Sequence, residues 1–340
     1  MNNKDNINQT ITVSAAPGAV DAFWLAKRFR SGATGTLLHI ATDDQAMAHM
    51  AQALDLLVPG IEILTFPAWD CLPYDRVGPN GAITARRIDT LWRLATSTDE
   101  NHPGSRVIIT TINAISQKVS PPDTYQTGIL EICVGESLDV DALIAFTSDQ
   151  GYGRAEVVME PGEFAIRGGI IDIYPPGQNG PVRLDLFGDE VEKIRTFDPL
   201  SQISEGNVES IILKPVSEVL LTNEAITRFR THYRERFGSP KGNDSLYESI
   251  SEGRRIAGME HWLPLFQDRL STLFDYLPNA PLSLGAGAQD ALDLRLEQIA
   301  DYFAARNDIA GASSTGNPGM AMEDAAYNPL PPDCLYLDRD

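Results

Sequence analysis

Hydrophobic residues in the first 120 positions alternate between short runs rich in β-branched side chains and longer segments in which apolar residues recur every three or four positions. Short runs of this kind predict strands, and the longer segments predict amphipathic helices. Strands that alternate with helices are typical of βαβ units around a parallel sheet. The predicted strands cover residues 10–15, 36–41, 62–66 and 106–111, and the predicted helices cover residues 19–30, 43–57 and 82–95.

The pattern changes after Ser120-Pro121-Pro122, where long β-like stretches are broken by Gly and Pro. A single helix, residues 140–148 with Asp139 as its cap, interrupts them. This pattern predicts a small α+β domain with an antiparallel sheet, and Gly188-Asp189 is a plausible hairpin turn within it. The predicted strands cover residues 129–134, 163–174, 182–187, 191–197 and 208–213.

Helical periodicity returns from Thr222 onward, with one further strand predicted at 281–284. Residues 310–332 are rich in Gly, Pro and small side chains, which is typical of a mobile loop or linker. We therefore expect three domains, covering residues 1–122, 123–215 and 216–340. The helices predicted in the third domain cover residues 223–237, 245–251, 260–266 and 288–306.

The charge balance restricts the possible partners of the chain. The 340 residues carry a formal net charge of −20, which repels a phosphate backbone unless basic residues are locally gathered. Residues 1–122 hold 10 basic and 11 acidic residues, which leaves 17 basic and 36 acidic residues in 123–340. This balance argues against a dedicated nucleic-acid-binding protein.

Cysteine usage and hydropathy indicate the compartment. The 3 cysteines form no CxxC motif and lie near no histidine pair at ligand spacing, so we expect reduced thiols and no structural metal. The amino terminus lacks the apolar core of a secretory signal, and no apolar run approaches a membrane span. We therefore expect a soluble, cytoplasmic chain. The last residues, DCLYLDRD, resemble a strand that enters another element, so we also expect a piece of a longer protein.

The junction between the first predicted strand and helix, residues 14–21, occupies the position of a nucleotide-binding P-loop. A working loop needs several glycines to wrap phosphates, a Lys for the terminal phosphates and a hydroxyl for magnesium. Here Gly18 is alone, and Val20-Asp21 replaces the Lys and the hydroxyl. A carboxylate at that position repels a triphosphate, so the sequence predicts a degenerate loop without a nucleotide cofactor.

Residues 66–75 are rich in aromatic side chains and proline, and the adjacent Arg86 and Arg87 follow them. One interpretation is a nucleic-acid site, in which rings stack on bases and the arginines contact phosphates. The interpretation we favour is that Trp69 and Tyr74 pack the exit of a strand onto the sheet, while both arginines lie on an exposed helix face.

Residues 159–200 carry the candidate interaction residues. Arg183 and Phe187 lie four positions apart in a predicted strand, so they share one face of the sheet, and Arg167 could join them there. A solvated sheet face is one explanation, but exposed arginine beside an aromatic residue is also the composition of interface anchors. Histidines, nucleophiles and carboxylates form no catalytic or metal-ligating motif, so no active site is predicted.

Several sequence blocks, in this order, resemble the bacterial transcription-repair coupling factors, the Mfd family. They are FPAWDCLPYDRVGPN with AITARRIDTLWRL, then VIITTINAISQKVSPP, MEPGEFAIRGGIIDIYPPG, VRLDLFGDEVEKIRTFDPLSQIS, and GMEHWLPLF with LFDYLP. The block EFAIRGGIIDIYP is shared by UvrB and Mfd, whereas GMEHWLPLF favours Mfd. The matching region is the amino-terminal, UvrB-like part of that family.

The resemblance implies a helicase-like, P-loop-type α/β domain (1A) with a degenerate loop, an inserted UvrA-binding domain (2), and a helical return segment (1B) that packs on 1A. It places UvrA recognition on Arg167, Arg183 and Phe187, with Asp185, Glu190 and Arg195 as candidate neighbours. Intact family members continue into domains that contact RNA polymerase and translocate on duplex DNA with ATP. Those motor motifs are not in this sequence.

The implied function is a non-catalytic docking module that mimics UvrB and recruits UvrA to a stalled RNA polymerase in nucleotide excision repair. Two alternatives stay open: a UvrB-type ATP-dependent DNA-binding repair protein, and a structural module without a UvrA partner. The first is disfavoured by the loop at 14–21 and by residues 72–81, which are too short for the long aromatic hairpin with which UvrB grips damaged DNA.

We predict that the chain does not bind MgATP, because Val20 and Asp21 replace the two groups that hold phosphate and magnesium. Isothermal titration calorimetry should show no saturable heat at micromolar protein concentration. Micromolar binding that a substitution at Asp21 abolishes would contradict this prediction.

Overall fold

The computed structural model describes residues 12, 20–32, 34–97, 104–240, 244–314 and 327–339. In the first unit, helices and strands alternate as predicted, and Asp43 and Asn80 cap the second and third helices by accepting hydrogen bonds from the N–H groups of Ala46 and Ala82. The predicted strand 10–15, apart from Thr12, and Gly18 lie outside the described residues. The elements are α1 (Val20–Arg30), β1 (Gly35–Ala41), α2 (Asp44–Leu57), β2 (Glu62–Phe66), α3 (Gly81–Thr96), β3 (Ser105–Thr111), α4 (Ile112–Ile115) and α5 (Pro122–Thr127).

The second unit is dominated by antiparallel strands, as predicted. The stretch 163–174 forms two strands rather than one, because the Gly168-Gly169 turn, with φ of +61° at Gly168, reverses the chain. The predicted turn at Gly188-Asp189 is confirmed. The elements are β4 (Leu130–Cys133), α6 (Val140–Gln150), β5 (Gly153–Arg154), β6 (Glu163–Arg167), β7 (Ile170–Ile173), β8 (Val182–Phe187), β9 (Glu190–Phe197), β10 (Ser204–Val208) and β11 (Ser210–Leu213).

The third unit is mostly helical. The segment predicted as helix 260–266 is a 3₁₀ helix, Met259–Leu265, whose interior Pro264 has no N–H for an α-helical bond. The last long helix continues to Ser314, so the loop predicted at 310–332 is wrong at 310–314. It is also wrong at Pro332, where the last short helix begins. Residues 315–326 lie outside the described residues. The remaining elements are α7 (Asn223–Phe237), α8 (Ser245–Ser251), β12 (Leu282–Leu284), α9 (Ala288–Ser314) and α10 (Pro332–Leu335).

Three sheets organise the described residues. The parallel sheet has the order β12-β1-β3-β2, so the third unit returns to add an edge strand to the first. The second unit holds a six-stranded sheet, β10-β9-β8-β7-β6-β5, and a separate antiparallel pair, β11-β4. The six-stranded sheet is antiparallel except where β5 pairs with β6. The predicted combination of a parallel sheet and an antiparallel sheet is confirmed.

Trp69 and Tyr74 pack differently from the prediction. They contact the aromatic cluster of the third unit rather than the parallel sheet. The Tyr74 ring lies 5.6 Å from the Phe303 ring, and the Trp69 ring meets His261 edge-on at 5.5 Å. These two side chains therefore join the loop after β2 to the returning helices.

Arg87 corrects a second prediction, because only its neighbour Arg86 lies on the exposed helix face. The Arg87 and Glu218 side chains are both fully buried, with Nε 2.6 Å from Oε1 and Nη2 3.1 Å from Oε2. Arg87 also donates to the Pro67 carbonyl at 2.9 Å, and its guanidinium lies 4.2 Å from the centre of the Phe66 ring. The ion pair links α3 to the chain that leaves the second unit.

Replacing Arg87 with methionine should lower the free energy of unfolding by about 3–5 kcal/mol, since Glu218 would keep its charge in a buried site without its partner. Arg86→Met removes the same charge from the neighbouring exposed position and should change stability by less than about 0.5 kcal/mol. Urea denaturation of both variants measures the difference. Equal stabilities would show that the pair does not hold the units together.

Candidate docking face

The outer face of the six-stranded sheet carries the three residues that the sequence singled out. Asp172 lies opposite Arg183, and Arg183 lies opposite Arg195. One row further along, Arg167 lies opposite Ile170 and Ile170 opposite Asp185. Phe187 is the last residue of β8. Successive side chains of a strand point to opposite sides, and Val182 and Leu184 point into the core, so Phe187 points to the same outer side as Arg183. We call the set Arg167, Ile170, Asp172, Arg183, Asp185, Phe187 and Arg195 the docking face.

Asp172 is the fixed centre of the docking face. Only 1% of its side chain is exposed, and it accepts three charged hydrogen bonds. Arg183 donates from Nε to Oδ1 at 2.7 Å and from Nη2 to Oδ2 at 2.9 Å, while Arg167 donates from Nη2 to Oδ2 at 2.9 Å. The hydrogen bonds that Arg183 donates to Asp172 raise the pKa of Arg183 above its ordinary value, so Arg183 stays charged.

The two candidate anchors of opposite character are the most accessible parts of this face. The side chain of Arg167 is 51% exposed and that of Arg183 only 17%, because the Arg183 guanidinium also stacks 4.6 Å from the centre of the Phe197 ring. Phe187 is 79% exposed at the end of its strand. Arg167 and Phe187 are therefore accessible to a partner. Arg183 is mostly covered, and its main role is to hold Asp172 and the surrounding surface in place.

A second ion pair borders these residues. Arg195 donates to Asp185 from Nε at 2.8 Å and from Nη2 at 2.7 Å. Arg183 and Arg195 lie directly opposite each other, which is unfavourable for like charges, and the two carboxylates offset this repulsion. Glu190, the third candidate neighbour, is exposed opposite Phe187.

Sequence reasoning missed two members of the docking face, Ile170 and Asp172. Ile170 is a large apolar side chain left exposed on a sheet, and Asp172 is the buried acceptor for both arginines. The available signal was the single aspartate in the apolar run 170–173, which follows Arg167 and precedes the arginine-bearing strand 182–187. Reading it required the reversal at Gly168-Gly169, which the single predicted strand did not include.

The region of the degenerate P-loop is described only at its helical end. Val20 and Asp21 form the first turn of α1, and Gly18 lies outside the described residues. A helix amino terminus attracts phosphate through its free N–H groups and dipole. The Asp21 carboxylate already lies at this positive end and would repel a phosphate placed there.

Other chemistry-bearing groups do not assemble into a site within the described ranges. They contain no group of three His, Cys, Asp or Glu side chains that could hold a metal ion. Burial lowers the pKa of both His39 and His261 to about 4, so both rings are neutral at pH 7. No helix in the described part of the chain is long and apolar enough to cross a membrane.

Residues 130–218 match the family model described as the UvrB interaction domain, and this range contains the whole docking face. The fold and the match together define a protein with a UvrB interaction domain. Along most of its length the chain is also similar to proteins described as transcription-repair-coupling factor, which confirms the predicted resemblance to the Mfd family.

Three of these relatives show the extent of the similarity. The chain is 34% identical over 244 residues to the protein of Haemophilus influenzae, which covers 72% of this chain and 21% of that protein. It is 33% identical to the Escherichia coli protein over 279 residues, which are 82% of this chain and 23% of that protein. It is 31% identical to the Rickettsia bellii protein over 293 residues, which are 86% of this chain and 26% of that protein. The chain thus spans about a quarter of the length of these relatives.

Arg183→Ala should lower the free energy of unfolding by about 1–3 kcal/mol, because the buried Asp172 loses two of its three charged hydrogen bonds. Arg167→Ala removes only one bond from a half-exposed side chain and should cost less. Chemical denaturation measures the free energy of unfolding of the two variants, and the loss should be larger for Arg183→Ala than for Arg167→Ala. An Arg183 variant as stable as the parent chain would show that Asp172 is satisfied without Arg183.

Proposed function

We propose that the chain is a non-catalytic docking module that binds UvrA through the docking face. In a longer protein it would bring UvrA to a stalled RNA polymerase and so couple transcription to nucleotide excision repair. Contacts with RNA polymerase and ATP-driven translocation on duplex DNA are assigned to other parts of such a protein. No cofactor is required for the docking step.

One observation carries the proposal. Within the range that matches the UvrB interaction domain, Arg167 and Phe187 project from the same side of a sheet whose other side is packed into a hydrophobic core. The resemblance to the Mfd family singles out both of these residues, together with Arg183. Aromatic and arginine side chains are among the residues that dominate the binding energy at protein interfaces, and here one of each is exposed on the same face.

The chemistry of the face favours a protein over DNA. Three arginines and two aspartates leave the docking face only weakly positive, in a chain of net charge −20. Such a surface releases few counterions from duplex DNA. Arg167 gives one nitrogen to Asp172 and keeps its remaining donors for a carboxylate of the partner, and Phe187 supplies an apolar anchor.

The UvrB-type ATP-dependent alternative has less support. It requires a loop that binds a triphosphate, and the position of the magnesium-binding hydroxyl carries Asp21 at the start of α1. A docking role needs no such loop. In this proposal the chain has a UvrA-binding surface like that of UvrB but does not bind or hydrolyse a nucleotide.

Arg167→Ala and Phe187→Ala should each weaken the affinity for UvrA by roughly thirty-fold or more, since central anchors cost about 2 kcal/mol or more when truncated. Calorimetric titration of purified UvrA into the chain measures the affinity. Arg254→Ala and Leu200→Ala are matched controls, because Arg254 is an exposed arginine paired with Glu252 and Leu200 is an exposed apolar residue, both outside the docking face.

The control variants should bind UvrA within about two-fold of the parent chain, because exposed positions outside an interface contribute little to affinity. Melting curves of all four variants establish that each is folded. If the Arg167 and Phe187 variants are folded and bind as tightly as the controls, the docking face has been assigned to the wrong surface.

A further inference from the structure

A groove with a volume of about 350 Å³ lies in the second unit between β4 and α6. Most of its lining is apolar and includes Leu130, Ile132, Ala142, Phe146 and Val191. A volume of this size is at the small end of the range for ligand-binding sites. The groove belongs to neither the docking face nor the region of the degenerate P-loop.

One wall of the groove is the edge of a strand. All four residues of β4 line the groove. Because successive side chains of a strand point to opposite faces, a groove along one face would be lined by only every second residue. The groove therefore runs along the edge of β4. Within the described residues β4 pairs only with β11. The N–H of Val134 donates to Glu209 on that side, so by alternation the backbone groups of Glu131 point away from β11.

The rim of the groove is acidic. Glu131, Glu136 and Asp139 line it and are exposed, and no lysine or arginine is among the lining residues. Asp139 uses one oxygen to cap α6, whereas Glu131 and Glu136 project beside the free strand edge. The negative rim complements a cationic ligand and disfavours an acidic one.

We propose that this groove binds an extended, cationic segment of a partner protein by strand addition to β4. Backbone hydrogen bonds to the edge of β4 would supply register, apolar side chains would fill the cavity, and Lys or Arg side chains would reach Glu131 and Glu136. An extended peptide presents alternate side chains to opposite sides, which matches an apolar floor beneath a charged rim.

The groove and the docking face lie on opposite sides of the six-stranded sheet. Val191 and Leu143, which line the groove, belong to the core packed against the inner face of the six-stranded sheet. Arg167, Arg183 and Phe187 lie on its outer face.

A fluorescein-labelled hexapeptide of alternating Arg and Val is the probe. Fluorescence polarisation at about 150 mM salt should give a dissociation constant of roughly 10–100 µM, a value typical of a short and transient contact. Ala142→Arg, which fills the groove from an exposed helix position, and Glu136→Lys should each weaken binding at least ten-fold. Glu205→Lys, an equal charge change on exposed β10 outside the groove, should alter it less than two-fold.

Two further measurements separate strand addition from general attraction to an acidic chain. A fully N-methylated peptide keeps its charge but has no N–H donors, so it should bind at least ten-fold more weakly. The parent peptide should also slow alkylation of Cys133, which lines the groove, without slowing alkylation of Cys334. Equal binding of the methylated peptide, equal weakening by Glu205→Lys, or unprotected Cys133 would overturn the proposal.

Discussion

The buried ion pair between Arg87 and Glu218 is the interaction on which the arrangement of the units depends. Arg87 belongs to the helix that follows the parallel sheet's β2, and Glu218 lies just after the antiparallel unit ends. The Trp69 indole donates to Glu218 at 2.8 Å, and Lys214 pairs with Asp89 beside it. Because both charges are removed from water, their loss of solvation is offset only when both partners and their hydrogen bonds are in place. This requirement fixes the exit of the second unit against the first.

The docking face follows from how the second unit buries its other side. Alternation along β6 to β9 sends Ile171, Leu184 and Ile194 into the core under α6 and the β4–β11 pair. The alternate side chains of these strands point to the outer face, where arginines and aspartates form ion pairs that hold one another in place. Arg183 is held by Asp172 and Phe197, so the surface around Arg167 is ordered before any partner arrives. Such preorganisation lowers the entropic cost of binding.

Much of this architecture could be predicted from the sequence, because periodicity reports local structure well. Strand 62–66 and helix 223–237 were predicted with the bounds observed, and the shared face of Arg183 and Phe187 follows from their spacing. Long-range features could not be predicted in the same way. The burial of Arg87 depends on a glutamate 131 positions away, and the pairing of β12 with β1 joins residues more than 240 positions apart. No local pattern contains either partner.

Competition between this chain and UvrB for UvrA tests the central claim most directly, because a mimic must use the same surface of its target. Labelled chain bound to UvrA would be titrated with unlabelled UvrB, and the bound fraction followed by fluorescence polarisation. The account predicts that saturating UvrB displaces the chain completely. A stable ternary complex of UvrA, UvrB and this chain would contradict it.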